Sequence, residues 1–353
     1  MIIRACFIFW LSIEYVSGQM NFSPEYAADR FLKTLSAEQY EKATYSFEDT
    51  MRTKWTNLPV GLVPRAGIPY GSLSDSSRLA WHRVLTAILS SQGYLKTTSI
   101  MKLDDILNEL YKSYLDGGKI NQPTYDRIRN LNWSHGNYYI SVYGLPYSGK
   151  PWSINYGGHH IALTYLQDKN GVSMTPYFIG TDPGEVKTDK YAGLRVLSKE
   201  EDYGFMLINL LSPQQKSMTI VSEKIPADII TSPSSSQRID NYYGISADKM
   251  NTEQKILLDL IIEEYVHNLN HTKAHQLMSK IRKNGYKKIY FAWIGSTMND
   301  KPHYYIINSP DILIEYDNVG FNNDGNHIHA ILREKGNDFG EDLLMRHYKE
   351  VKH

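Results

Sequence analysis

Histidine is the residue type in this chain whose placement is most suited to chemistry. The sequence has 12 histidines, and six of them stand in short patterned contexts. These six are the candidate metal ligands: His159, His160, His303, His327, His329 and His347. A neutral imidazole is a common ligand for transition metals in proteins. The pattern therefore predicts a histidine-rich metal site.

His327 and His329 form the strongest part of this pattern, because a single residue separates them. Side chains on a β-strand alternate between the two faces, so both imidazoles would point to one side. Burying two imidazoles without partners is costly, and a shared metal ion removes that cost. The alternative is a solvated pair, or a pair that binds backbone groups.

His159 and His160 are neighbours, so on a strand they would point to opposite faces and only one would easily join a shared site. Gly157 and Gly158 precede them and allow either a close approach of the backbone to a ligand or a plain bulge. We expect at least one of these two imidazoles to converge with His327 and His329, with ring nitrogens within about 4 Å of a common point.

The other two candidate histidines have competing structural interpretations. His303 follows Pro302 and is either a residue that lines the site or a core histidine bonded to a carbonyl. His347 stands next to Arg346 in a helical pattern and is either a site residue or a charge at a helix end.

Three charged residues are candidate catalytic groups. Glu315 shares a strand face with Asp317 and could act as a general base or offer a carboxylate to a metal, although paired surface charges are the alternative. Arg333 could bind a substrate carboxylate or pair with Asp338. Asp338 could orient a ligating histidine or form an Asx turn.

The ligand types limit the metal and the reaction. The only cysteine, Cys6, lies in a predicted signal segment, so a metal site in the mature chain would use histidines and carboxylates. Three neutral imidazoles suit Zn, Cu or Fe. Zinc predicts hydrolysis by a metal-bound water with Glu315 as base, whereas copper or iron predicts oxidation. Oxidation is slightly favoured, because the chain has no His-Glu-x-x-His motif.

The elements that must position these residues alternate between two periodicities. Helical patterns over residues 24–54, 75–92 and 103–115 precede short strands at 138–144, 152–156, 160–166 and 175–179. Helical patterns over 200–211, 252–269 and 275–284 then precede strands at 288–295, 304–307, 312–316 and 327–332. The sequence predicts an α+β fold with antiparallel strands and packed helices.

The repeated order of elements indicates a degenerate duplication of one helix-strand unit. Gly144 and Gly295 each end an aromatic strand, and a Lys-Pro pair that ends at Pro151 or Pro302 follows each of them. We expect one large domain, residues 19–353, made of two intimate halves at about 19–215 and 237–350. Gly144 should superpose on Gly295, and Pro151 on Pro302.

Residues 1–18 resemble a secretory signal peptide, with Arg4 before a short apolar run and small residues before Gln19. A membrane anchor needs about 20 apolar residues, so we expect cleavage, secretion to the extracellular space and no stable membrane insertion. Sequons at Asn21, Asn132 and Asn270 are compatible with a glycoprotein.

Composition excludes some partners and leaves a second function open. The 38 basic and 38 acidic residues balance without a basic cluster, which argues against a nucleic-acid partner. The 27 tyrosines could line a groove that stacks on sugars or peptides, with histidines as hydrogen-bonding groups. The sequence therefore leaves two main alternatives: a metal-dependent enzyme with an unidentified small-molecule, sugar or peptide substrate, and a non-catalytic binding module. A third, weaker alternative is an inert structural protein of the secretory or extracellular space.

Several short motifs in a fixed order give a family resemblance. They are Gly158-His-His, Phe178-Ile-Gly-Thr-Asp-Pro183, Tyr242-Tyr-Gly-Ile-Ser246, Ile314-Glu-Tyr-Asp-Asn318, Asn326-His-Ile-His-Ala-Ile-Leu-Arg333, Asn337-Asp-Phe-Gly340 and His347-Tyr348. Over roughly residues 25–350, the chain resembles the domain of unknown function 3500 family. The resemblance implies a secreted or extracytoplasmic protein and does not imply a particular activity.

Overall fold

The computed structural model describes residues 23–233, 239–320 and 323–350. The predicted signal peptide at 1–18, its cleavage site and the sequon at Asn21 lie outside the described residues. Within the described part, the chain forms ten helices and a large, mostly antiparallel sheet of 13 strands. This mixed architecture confirms the predicted combination of antiparallel strands and helices.

Side-chain caps define where most of the helices begin. Ser36, Ser212 and Asn251 each form a capping box with a glutamine three residues later. The helices are α1 Pro24–Leu32, α2 Ala37–Ala43, α3 Asp75–Ile88, α4 Ser91–Asp116, α5 Gln122–Arg129, α6 Ser198–Leu210, α7 Pro213–Thr219, α8 Thr252–Val266, α9 His271–Asn284 and α10 Glu341–Glu350. None of the helices in the described ranges combines the length and the apolar character needed to cross a bilayer.

The strands are short and separated by turns. They are β1 Thr44–Tyr45, β2 Ile68–Pro69, β3 Tyr139–Tyr143, β4 Trp152–Gly158, β5 Ile161–Asp168, β6 Gly171–Ser173, β7 Tyr177–Thr181, β8 Ile220–Ser222, β9 Ile245–Ser246, β10 Tyr290–Gly295, β11 His303–Asn308, β12 Ile312–Asp317 and β13 Ile328–Glu334. Their order across the sheet is β1-β3-β4-β5-β7-β13-β12-β11-β10-β8, while β2, β6 and β9 pair with β3, β5 and β10. Strands β7 and β13 therefore lie side by side at the centre.

The two faces of the sheet are covered differently. On one face, side chains such as Leu163, Ile179 and Ile314 pack with residues of α3, α4, α6, α8 and α9 in the main core. On the opposite face, Ala162, Phe178 and Ile331 pack with Trp55 and Ile229, which come from irregular segments. We call these the helix-covered face and the loop-covered face. Successive side chains along each strand point alternately to the helix-covered face and to the loop-covered face.

The strand pairings recur in the second half of the sheet at one constant offset in sequence. In the first half, Ile140 pairs with Tyr156 and Tyr156 pairs with Leu163. In the second half, Phe291 pairs with Ile307 and Ile307 pairs with Ile314. The outer strands β1 and β8 also both pair in parallel with their neighbours β3 and β10.

A buried ion cluster joins three helices of the core. The Lys96 ammonium of α4 lies 2.7 Å from Glu200 of α6 and 2.5 Å from Glu264 of α8. Burial raises the pKa of the Glu200 carboxyl, and the positive charge of Lys96 opposes that shift.

Replacing Lys96 with methionine should therefore destabilise the fold, because it leaves two carboxylates without their cation. We expect a loss of about 3–5 kcal/mol in the free energy of unfolding, measured by denaturant titration. Lys102→Met is the matched control, since Lys102 is exposed on the same helix. Equal unfolding midpoints for the two variants would contradict this account of the cluster.

Candidate metal centre

Four histidines and four aspartates meet at one end of the central strands. His159 and His160 form the turn between β4 and β5, and His327 and His329 stand at the start of β13. The neighbouring strands end at the same place, because β7 is followed directly by Asp182 and β12 ends at Asp317. The cluster thus depends on the contact between the two halves of the sheet. Asp104 and Asp228 approach from α4 and from an irregular segment.

Three ring nitrogens converge in this cluster. Nε2 of His327 lies 2.8 Å from Nε2 of His160 and 3.1 Å from Nε2 of His329. One ligand atom from each of these three residues lies within 4.8 Å of the other two. Nitrogens that bind one metal at tetrahedral positions are about 3.3 Å apart. Shifts of a few tenths of an ångström would therefore fit the three imidazoles to a metal ion.

Hydrogen bonding alone does not satisfy this arrangement. A ring nitrogen carries either one hydrogen or one lone pair, so Nε2 of His327 can complete only one of its two contacts as a linear hydrogen bond. A metal ion accepts a lone pair from each of the three nitrogens. The convergence of these nitrogens is therefore better matched to a cation than to protons.

Carboxylates stand behind two of the three imidazoles. Nδ1 of His329 lies 2.8 Å from Asp228, and Nδ1 of His327 lies 3.5 Å from Asp182. A carboxylate that accepts the Nδ1 hydrogen fixes the tautomer and leaves the Nε2 lone pair for a metal. Asp317 is fully buried, and its Oδ2 lies 3.9 Å from Nδ1 of His329. This is the carboxylate-histidine arrangement found behind metal ligands.

The ionisation of the cluster favours neutral imidazoles at two positions. Burial lowers the pKa of His160 and His327 well below the usual value, and neighbouring imidazoles lower it further. Burial would also lower the pKa of His329, but Asp228 and Asp317 outweigh it and raise that pKa. Burial raises the pKa of Asp182 to about 6 and that of Asp317 to about 7. Lone pairs are therefore available at His160 and His327 at neutral pH.

The adjacent pair His159 and His160 lies in a turn, whereas the sequence analysis considered it on a strand. His160 has a φ of 63°, and the two imidazole rings are in contact, with centroids 3.6 Å apart and planes tilted by 31°. Nδ1 of His159 lies 2.7 Å from Asp104, which also accepts a hydrogen bond from the Tyr138 hydroxyl. Because of the turn, the two imidazoles are not separated by the sheet. Asp104, His159 and His160 form a second group that could hold a metal.

Gly180 provides the space for the imidazoles. It pairs with His329 across the centre of the sheet. A β-carbon at this position would lie 2.8 Å from Cδ2 of His160, 2.7 Å from the Ile328 carbonyl oxygen and 3.1 Å from Cδ2 of His329. Contacts this short require the ring or the backbone to move. The glycine therefore allows the two histidines to meet.

Gly180→Ala should weaken metal binding by at least about tenfold, because a displaced His160 loses its approach to the other two nitrogens. Isothermal titration with Zn²⁺ measures the effect. Gly117→Ala is the control, since Gly117 ends α4 and a β-carbon there would contact only Ser113 within 4 Å. Unchanged affinity in the Gly180 variant would show that the packing of His160 does not determine metal binding.

The structure does not bring His303 or His347 into this cluster. The His303 ring stacks on Trp293 with centroids 4.7 Å apart, its Nδ1 bonds the Lys301 carbonyl at 3.1 Å, and burial lowers its pKa to about 4. These contacts match the interpretation as a core histidine bonded to a carbonyl. His347 lies on α10, where its Nδ1 is 3.4 Å from Asp168.

The candidate catalytic residues Glu315, Arg333 and Asp338 lie around the segment that carries Asp228. The buried Glu315 accepts hydrogen bonds from the backbone of Ile230 and Thr231 and from the hydroxyls of Thr231 and Tyr304. Arg333 donates to the Thr231 carbonyl at 2.7 Å and to Asp338 at 2.5 Å. Burial raises the pKa of Asp338, although Arg333 opposes the shift. These contacts fix residues 228–231 against β12 and β13.

Three aspartates of the cluster were not identified from the sequence. Asp104 lies on α4 among the buried apolar residues Met101, Leu103 and Leu107, and a carboxylate in such a position was a signal that the sequence contained. Asp182 directly follows the buried strand β7. A carboxylate at the end of a buried strand was a weaker indication of a site residue. Asp228 lies in an irregular segment, where no periodicity indicated its orientation.

Comparison with known proteins identifies the family of this chain. A family model described as a protein of unknown function, DUF3500, matches residues 23–341. The chain belongs to the DUF3500 family. This membership confirms the resemblance inferred from the motifs. The match includes every residue of the four-histidine cluster, whereas His347 lies beyond it. Searches of curated proteins and of solved structures found no match to this DUF3500 protein.

Proposed function

We propose that this DUF3500 protein is a secreted metal-dependent enzyme whose metal is bound by Nε2 of His160, His327 and His329. The observation that carries the proposal is the convergence of these buried nitrogens at 2.8 and 3.1 Å. Carboxylates behind His327 and His329 support it, since metal-binding histidines commonly donate their other ring hydrogen to such a group. Three protein ligands leave a coordination position open for water or substrate.

The donor set suits Zn, Cu or Fe, and we propose oxidation ahead of hydrolysis. Glu315 was predicted as a base for the hydrolytic reaction. Its carboxylate oxygens receive hydrogen bonds from Ile230, Thr231 and Tyr304, which supports a positioning role for Glu315 instead. We assign the same role to Arg333, which binds Thr231 in the Asp228 segment, and to Asp338, which accepts a hydrogen bond from Arg333.

Metal analysis of protein purified without a histidine tag tests this proposal. We expect about one transition-metal ion per chain by mass spectrometry, and one equivalent of metal taken up after removal by a chelator. Protein that contains no transition metal and binds none of Zn²⁺, Cu²⁺ or Fe²⁺ in titration would overturn the proposal. The alternative function, a non-catalytic sugar- or peptide-binding module, would then be favoured.

We also propose that the protein is secreted and glycosylated. Asn132 is exposed, and Asn270 caps α9 through its side-chain oxygen. In protein secreted from its native host, mass spectrometry should find an N-terminus near Gln19 and, if the host is eukaryotic, glycan on Asn132 or Asn270. An intact N-terminus at Met1 in a membrane-bound product would contradict secretion, and three unmodified sequons would contradict glycosylation.

We propose further that the two halves arose by duplication of one unit. The matched pairings of Ile140 and Phe291 within their hairpins support this origin. Gly144 and Gly295 also match, since a β-carbon on either would lie 2.9 or 3.0 Å from the carbonyl oxygen of Pro151 or Pro302. Superposing the two halves on their strand backbones should place Gly144 on Gly295. An unrelated placement would contradict the duplication.

A further inference from the structure

A cavity of about 180 Å³ lies on the loop-covered face beside the proposed metal centre. Its aromatic wall consists of the rings of Trp55, Tyr139 and Tyr143. A dry cavity of about 150 Å³ is large enough for benzene. The space therefore suits one ring with a small substituent.

The second half of the sheet explains why this space is open. In the first half, Gly157 pairs with Ala162 beside the cavity, and at the same register Asn308 pairs with Leu313 in the second half. Leu313 packs there in an apolar cluster with partly buried Ile225 and Ile230 from the covering segment. The cavity occurs where the first half has smaller side chains at these positions. Its place in the fold is therefore specific to the first half.

The lining of the cavity carries positive charge. Among its lining residues, Lys54 and Arg65 are basic and none is acidic. Within the described part of the chain, the Arg65 guanidinium donates hydrogen bonds to backbone carbonyls, including Thr56 at 3.2 Å and Gly158 at 3.3 Å. Burial lowers the pKa of Arg65 to about 10. A partly buried cation without an anion favours an anionic ligand.

The lining also offers an acceptor for a ligand hydroxyl. Asn155 donates through its Nδ2 to the Arg52 carbonyl at 2.9 Å, while its buried Oδ1 has no hydrogen-bond partner in the described residues. A buried acceptor without a donor is costly. A hydroxyl on the ring of a ligand would satisfy this oxygen.

The cavity and the histidine cluster are one side chain apart. The Phe178 ring lies 5.4 Å from the Trp55 ring and 5.4 Å from the His329 ring. Arg65 reaches the carbonyl of Gly158, the residue before His159. A ligand in the cavity would therefore lie one aromatic side chain away from the proposed metal centre.

We propose that this cavity binds a small aromatic carboxylate, with the ring against Trp55 and the tyrosines and the carboxylate near Lys54 and Arg65. That this ligand is the substrate of the enzyme rests on the proposed function. That the cavity binds it requires no metal. A ring hydroxyl that reaches Asn155 would increase affinity.

Calorimetric titration with benzoate, 4-hydroxybenzoate and the neutral isostere benzamide tests the site, on chelator-treated protein and on metal-loaded protein. In both forms we expect benzamide to bind at least about tenfold more weakly than benzoate, because it lacks the charge. 4-Hydroxybenzoate should bind more tightly than benzoate. Equal binding of benzoate and benzamide, or no binding of either carboxylate, would overturn the proposal.

Two variants locate the binding. Ala162→Leu introduces the residue found at the matched position in the second half and should abolish binding by filling the cavity. Lys54→Gln should weaken benzoate binding about threefold to tenfold and leave benzamide unchanged, and Lys102→Gln is its exposed control. Thermal melts and Zn²⁺ titration verify that each variant is folded.

The outcomes separate this inference from the proposed function. If the protein binds no metal but binds the carboxylates, and Ala162→Leu removes this binding, the ligand site in the cavity is supported and the proposed enzyme function is overturned. Metal binding without carboxylate binding would support the metal centre and overturn the cavity. Carboxylate binding that Ala162→Leu leaves intact would also overturn the assignment to this cavity.

Discussion

His327→Ala is expected to abolish stoichiometric metal binding, with a loss of affinity of at least about 100-fold. Nε2 of His327 contacts both of the other proposed ligand nitrogens, at 2.8 Å from His160 and 3.1 Å from His329. Removing the His327 imidazole leaves only two of the three proposed ligand nitrogens. The fold should be retained, because His327 lies at the start of β13 and outside the main apolar core.

The control for this variant is another histidine that pairs with an aspartate. His135 is exposed, and its Nδ1 lies 2.7 Å from Asp105, outside the cluster. Zn²⁺ titration should show wild-type affinity for His135→Ala and no measurable binding for His327→Ala, while both give cooperative thermal transitions. Equal metal affinity in the two variants would exclude His327 as a ligand.

Asp228→Asn should weaken metal binding by about 10- to 100-fold without changing the number of ligands. The Asp228 carboxylate lies 2.8 Å from Nδ1 of His329 and is held by Asn57 at 3.1 Å. Burial would raise the pKa of Asp228, but the hydrogen bonds from His329, Asn57 and the backbone of Ile229, together with the charge of His329, outweigh burial and lower this pKa. An amide cannot supply the negative charge that increases the basicity of His329.

Titration of metal into Asp228→Asn and into the control Asp75→Asn measures this effect. Asp75 is exposed at the start of α3 and does not belong to the histidine cluster. The control should retain wild-type affinity. A change of less than about twofold at Asp228 would show that this carboxylate does not tune the proposed metal ligand.

The local part of the site could be predicted from the sequence. Strand periodicity correctly indicated that His327 and His329 share a face, since their Nε2 atoms lie 3.1 Å apart. The sequence did not show that His159 and His160 form a turn. A shift of one residue in the predicted start of the strand changes whether these two histidines lie in the strand or in the turn before it. Here the backbone of His160 has a positive φ. Periodicity contains no information on this conformation.

The long-range part of the site could not be predicted in the same way. The alternating patterns predicted the antiparallel hairpins, but the neighbouring positions of β7 and β13 follow from packing across the whole sheet. This contact pairs Gly180 with His329. Asp228 comes from a segment without regular structure, so its position depends on tertiary contacts, such as those of Glu315 and Arg333 with Thr231 and that of Asn57 with Asp228.

The most direct test of the metal centre is an anomalous difference map from a crystal of the protein grown with its metal. The account predicts one strong peak between His160, His327 and His329, about 2.0–2.1 Å from each Nε2. Metal bound elsewhere, or a cluster whose imidazoles stay in mutual contact without a peak in the presence of excess metal, would contradict it.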